Sequence, residues 1–301
     1  MNPRPLSTII AQRLPNNDKD KHEEEYAVLL ALFHDVIKSI RDNDGQWESL
    51  EELMKARADF AVRHAFDGFG ISYDDAFQLL KNADDLSDEQ RVQRDILVAA
   101  VDNLVDFAVA EEYHLAEEVS EYDELEELEE LEEDSEEYAD LLEILFGICH
   151  KYNNRYAYVE NMDIEYAMIV AAFLSSLKDD TILTYMTMGD ERVRPWHLQY
   201  EGYSAPRSQF PSWLIPPIEH QCRCFLVEDT KSTLVADIQA AKKPQMPDWF
   251  DRTFKESVAN GGRIFSDEHS YFQIDKKHVK RLGEISDRIK AKYFGDGSDS
   301  D

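Results

Sequence analysis

Apolar residues after His22 fall at Leu29, Leu32, Phe33, Val36 and Ile40, the spacing that lines one face of a helix. Asn43-Asp44-Gly45 supplies a turn that stops it. A second helix is predicted from Trp47 to Phe66, ending at Asp67-Gly68, where glycine suits a left-handed cap. Ser72 is placed to cap a short third helix reaching Leu80. Ser87 with Gln90 forms a capping box that opens a long fourth, whose stripe includes Ile96, Leu97, Val101, Leu104, Val105 and Phe107. These patterns predict an antiparallel helical bundle over residues 21–110, preceded by a Pro- and Asn-rich arm over 1–20.

Helical spacing resumes at Leu141, Ile144, Leu145 and Ile148, runs again from Ile164 to Leu177, and breaks at Lys178-Asp179-Asp180. Thr181–Met188 alternates β-branched and aromatic residues and reads as a strand. A second strand is expected at Cys222–Val227, after Pro216-Pro217, because proline cannot lie in a strand interior. Beyond Glu228 come helical and loop segments, then a final helix from about Lys276 to Phe294. The expected fold class is α+β: the N-terminal bundle, a small mixed helix/sheet domain over 141–228, and a C-terminal helical extension over 229–301.

Charge changes this picture in two places. The chain has 63 acidic and 32 basic residues, a net −31, which disfavours broad binding to nucleic acid or acidic membranes. Residues 111–140 hold 17 Asp or Glu and no Lys or Arg, and Leu125, Leu128 and Leu131 recur at a spacing that drifts around a helix. They read as an acidic spacer or frayed helix, or as a surface that meets a basic partner. The final helix is the opposite: seven Lys or Arg against Glu284 and Asp287. Lys276, Lys277, Lys280 and Arg281 are its candidate partner-binding residues. Three cysteines do not make a disulfide framework, and a reducing compartment is expected. The N-terminus carries no apolar stretch of signal-peptide length, and no run of about 18 apolar residues occurs, so neither export nor a membrane span is expected.

The most distinctive chemistry lies between Asp190 and Val227. Read as extended chain, Asp190, Arg192 and Arg194 share one face, a carboxylate within reach of two guanidiniums: a clamp on the turn, or a binder of carboxylate or phosphate. His197, His220, Cys222 and Cys224 are the right types for zinc. Two residues of strand span about 6.6 Å, so Cys222 and Cys224 can share a metal, whereas His220 joins them only if Pro217–Gln221 bends. The alternative is a pair of small buried thiols with hydrogen-bonded histidines. No Gly-rich phosphate loop, GxSxG, HExxH or CxxC occurs, and Cys149-His150 sits in an apolar helical segment, so no catalytic residue is assigned.

Taken in order, Gly189, Asp190, Arg192, Val193, Arg194, Pro195, His197, Gly202, Trp213, Pro216, Pro217, His220, Cys222, Arg223 and Cys224 resemble the core motif of the phage Mu F-like minor head proteins, the phage head morphogenesis family. Ala259–Phe265 and His269–Phe272 resemble the turn and His-x-Tyr run that often follow it. Trp196 departs from the pattern, standing where a polar residue is common. The resemblance covers about residues 141–272. It implies a minor structural protein of a tailed-phage or prophage head, located in the virion and, during assembly, in the host cytoplasm. The implied partners are the portal protein and other head components; the charge of the basic helix makes it a candidate contact to packaged DNA or to an acidic face of the portal. It brings no settled catalytic activity. Two other classes stay open on the residues alone: a metal-assisted hydrolase or transferase built on Arg192, Arg194 and His197, and an acidic decoy presenting residues 111–140.

Overall fold

The computed structural model describes residues 18–228, apart from Ala83 and seven acidic-run positions (Asp123, Glu124, Glu126, Glu127, Glu129, Glu130 and Glu133), and residues 244–295. Most of the expected N-terminal arm, the start of the C-terminal extension at 229–243, and the acidic tail lie outside the described residues.

The fold is α+β and mostly helical. Helices α1 (Asp18–Arg41), α2 (Gln46–Phe69), α3 (Tyr73–Lys81) and α4 (Asp88–Ser120) come first. Next, α5 (Glu136–His150) passes through a π-helical stretch, Lys151–Tyr156, into α6 (Ala157–Ser175). Strands β1 (Ile182–Met186), β2 (Ser204–Pro206) and β3 (Phe225–Glu228) form an antiparallel sheet in the order β2-β1-β3, with the short helix α7 (Pro195–Leu198) between β1 and β2. Helix α8 (Lys276–Phe294) follows. No helix among the described residues is long and apolar enough to cross a membrane.

The predicted caps form. Gln90 N donates to Ser87 Oγ at 3.2 Å while Ser87 N donates to Gln90 Oε1 at 3.0 Å, and Asp75 N donates to Ser72 Oγ. Two expectations differ. Helix α2 runs on to Phe69, and the left-handed residue is Gly70 (φ +82°). Gly68 is helical, and a Cβ there would stand 2.4 Å from the Glu165 carbonyl oxygen, so this glycine permits close backbone approach. The acidic run also does not begin as a spacer: its first ten residues are the end of α4, with Glu111 and Glu112 wholly buried.

The chain groups into two compact units that interleave in sequence. One contains His64–Asn103 and Met162–His269. Its sheet is centred on β1, whose Leu183 and Tyr185 are fully buried, with Tyr185 opposite Leu226 and Leu183 opposite Ala205. Asn103, nearly buried, accepts from the backbone N–H groups of Ile264 (2.9 Å) and Phe265 (3.0 Å) and donates to Phe265 O (2.9 Å). One side-chain amide thereby satisfies three main-chain groups of a loop that has no strand partner there.

The other unit contains residues 18–63, Leu104–Asn161 and 270–295. Phe33 on α1 meets Phe146 on α5 edge to face, and Tyr26 meets His150 likewise. Helix α8 buries Leu282, Ile285, Ile289 and Tyr293. Much of its positive charge is used internally: Arg288 pairs with Glu51, Lys290 with Asp106 and Lys292 with Asp59, while the Arg281 guanidinium lies 4.0 Å over the Trp47 ring. Lys276, Lys277 and Lys280 remain exposed, Lys277 beside Asp275 at 3.3 Å and Lys280 beside Glu284 at 3.8 Å.

Candidate functional site

The motif residues converge in the sheet-containing unit. After β1 the chain turns at Gly189 (φ +67°), and Val193 N closes on Asp190 O. The segment is a turn, not extended chain, so the shared face expected for Asp190, Arg192 and Arg194 does not exist. Asp190 instead takes Arg223 in a two-pronged pair at 2.9 and 2.7 Å, and its carboxyl is held below the usual range by that guanidinium. Arg192 is exposed, offering its backbone N–H to Asp190. Arg194 reaches Glu219 Oε1 (3.1 Å) and the His220 carbonyl (2.8 Å).

Pro195 begins α7, where its missing N–H costs nothing. That short helix buries His197. One ring nitrogen, Nδ1, lies 3.1 Å from Cys224 Sγ and 3.9 Å from Cys222 Sγ. The other, Nε2, lies 3.1 Å from Glu219 Oε2, an oxygen that also accepts from Trp196 Nε1 at 3.0 Å. Gly202 (φ +80°) lets the chain return to pair its N–H with Tyr185 O. Trp213 packs edge-on against Tyr200 and Phe250.

Pro216 and Pro217, joined by a cis peptide, lead into a tight turn in which Cys222 N bonds Glu219 O and Gln221 adopts φ +57°. The bend that zinc binding by all four candidates requires is present, but it turns His220 the other way. His220 Nδ1 meets Asp163 Oδ2 on α6 at 2.8 Å, and Asp163 Oδ1 takes the Gln221 N–H at 2.7 Å. His220 is therefore outside the thiol cluster. His197, Cys222 and Cys224 are together, all buried, with their ligand atoms within 4.8 Å of one another.

Electrostatics separates the two thiols. Burial pushes Cys222 well above its ordinary value. Cys224 is lowered, first by the hydrogen bond from Cys222, then by the Tyr185 hydroxyl, Arg194 and Arg223 around it. Tyr166 donates its hydroxyl to the Cys224 carbonyl, which holds the start of β3 against α6.

A second polar cluster, in the other unit, surrounds Arg57. This guanidinium is wholly buried, 2.7 Å from Glu111 Oε2, 2.9 Å from Glu160 Oε2 and 3.1 Å from Asn161 Oδ1. Glu112, also buried, accepts from Asn153 Nδ2 in the π-helical stretch at 3.2 Å. Burial beside other carboxylates pushes Glu112 up to about 8 and raises Glu111 well above the carboxylate range. Cys149, near Glu112, is pushed up to about 12 by burial and is an inert core thiol.

Glu219, Asp163, Tyr185 and the Arg57 cluster were not singled out from the sequence. A signal existed for Arg57: it continues the buried stripe Leu50, Met54, Ala61 on α2, just as Glu111 continues Leu104, Ala108 and Leu115 on α4. A charged residue on a buried stripe calls for a partner on another buried stripe. Glu219 carried no such mark, because it lies in a loop and is one of 63 acidic residues. No protein-family model, no curated protein and no solved structure matches this chain.

Proposed function

We propose that the protein is a minor structural component of a tailed-phage or prophage head, acting in head morphogenesis near the portal vertex. The observation that carries this reading is the ordered motif from Gly189 to Cys224, with its resemblance to the Mu F-like minor head proteins. The use made of the motif residues supports it. Asp190 is engaged by Arg223, Arg194 by Glu219 and a carbonyl, and His197 by Glu219 and the thiols, so the polar side chains hold the segment's own shape. A hydrolase or transferase needs Arg192, Arg194 and His197 to line one accessible cleft. Here His197 is 2% exposed while Arg192 faces solvent, which gives that reading less support.

Under this proposal the sheet-containing unit is a rigid platform, and the portal protein and other head components are its partners. The exposed first turns of α8, carrying Lys276, Lys277 and Lys280, would touch an acidic face of the portal or packaged DNA. The test is quantitative mass spectrometry of purified particles from the source phage or induced prophage, counting this chain against the portal and major capsid proteins. A small, reproducible copy number is expected. Absence from both mature particles and assembly intermediates overturns the proposal.

A further inference from the structure

We propose that His197, Cys222 and Cys224 bind a zinc ion, with Glu219 as the carboxylate that orients the histidine. The inference stands on geometry alone and does not depend on the head-protein reading.

Zinc sits about 2.3 Å from thiolate sulfur and about 2.0 Å from imidazole nitrogen, so tetrahedral coordination places sulfur and nitrogen about 3.5 Å apart and two sulfurs about 3.8 Å apart. The observed 3.1 and 3.9 Å from His197 Nδ1 to the two sulfurs bracket the first value, and all three atoms fall within 4.8 Å. Shifts of about one ångström or less close the site.

The surroundings fit as well as the distances. A metal-bound histidine donates its second ring N–H to a carboxylate, fixing the tautomer and turning the free lone pair to the metal. His197 is arranged this way: Nε2 faces Glu219 Oε2 at 3.1 Å and Nδ1 faces the sulfurs. Glu219 is itself fixed by Arg194 and Trp196, so the ring is held from two shells outward. Two thiolates and one imidazole select zinc over magnesium, calcium or manganese, which prefer oxygen. The chain supplies three ligands, a water would complete the tetrahedron, and the Tyr185 hydroxyl stands beside Cys224 in the same buried setting. The local chain path serves the same end. Cys222 and Cys224 both bring their sulfurs to the His197 ring, and the turn at Gln221 delivers Glu219 rather than His220 to it.

The experiment uses the full chain, purified under reducing conditions without chelator from zinc-supplemented cells, with metal measured by plasma mass spectrometry. About one zinc per chain is expected. Cobalt(II) exchanged into the site should give the intense visible bands of a tetrahedral ion and sulfur-to-cobalt charge transfer. Cys222→Ser, Cys224→Ser and His197→Ala should each abolish the charge-transfer signature of the intact site, whereas Cys149→Ser and His220→Ala should retain the metal. Glu219→Gln should keep the stoichiometry but weaken zinc roughly 10–100-fold against a competing chelator. The Glu219 and His220 variants keep the test sharp should a ligand variant fail to fold. Wild-type protein with neither zinc nor a cobalt–thiolate spectrum overturns the proposal, as does metal that survives the loss of both Cys222 and Cys224.

Discussion

The guanidinium of Arg57 stands 2.7 Å from Glu111 and 2.9 Å from Glu160, with no part of the arginine side chain reaching solvent. One cation thereby joins α2, α4 and α6. Removing it leaves buried carboxylates with no counter-charge, a change that typically costs about 3–5 kcal/mol. Arg57→Ala is expected to lower stability by that order, read as a shift of the urea midpoint. Arg57→Ala combined with Glu111→Leu and Glu160→Gln should recover part of the loss, since the penalty belongs to the stranded charges.

The same cluster sets a pH dependence. Glu112 is pushed up to about 8 and Glu111 is raised as well, so between about pH 4.5 and 8 the folded protein binds more protons than the unfolded chain. Stability contributed by these groups is full below the unfolded value and is lost as pH rises through the folded one. The groups facing them are Arg57, Glu160, Asn153 and Cys149. Thermal midpoints should fall from pH 5 to pH 8.5, and Glu112→Gln should flatten the decline. An unchanged slope in that variant would remove Glu112 from the account.

Two glycines in helices should respond oppositely to alanine. At Gly68 the new Cβ would meet the Glu165 carbonyl at 2.4 Å, an overpacking expected to cost about 1–3 kcal/mol. At Gly147, exposed on α5 with nothing within 4 Å, alanine should be neutral or stabilise by up to about 1 kcal/mol. Denaturant unfolding of the two variants in parallel checks both directions.

Asn103→Ala removes one acceptor shared by two buried N–H groups and one donor to a carbonyl. The expected cost is about 1–3 kcal/mol, with faster hydrogen exchange at the amides of Ile264 and Phe265. Asn103→Asp keeps the acceptor and should restore protection at those two amides.

Local rules made much of the helical part legible, because Ser72, Ser87 and Gln90 satisfy helix ends through bonds that span three residues. The strand at β1 followed from alternation. What escaped depended on contacts distant in sequence. Gly68 reads as a cap until Glu165 is placed against it, and nothing near Glu219 indicates that it will meet a histidine 22 residues earlier. The acidic run misled for a related reason: its charge density describes solvated chain, yet Glu111 and Glu112 belong to a buried helix end whose compensating charge lies on α2. The cysteine–histidine grouping was visible as composition, but only the turn at Gln221 decides which histidine belongs to it.

Burial of Glu112 also alters how the protein's charge is met from outside. The formal net charge of −31 counts it as ionised. While Glu112 keeps its proton, an ion-exchange matrix at neutral pH encounters about one fewer negative charge than the composition states. Raising the pH restores that charge from the interior, so growth in electrophoretic mobility and loss of stability around α4 become a single event.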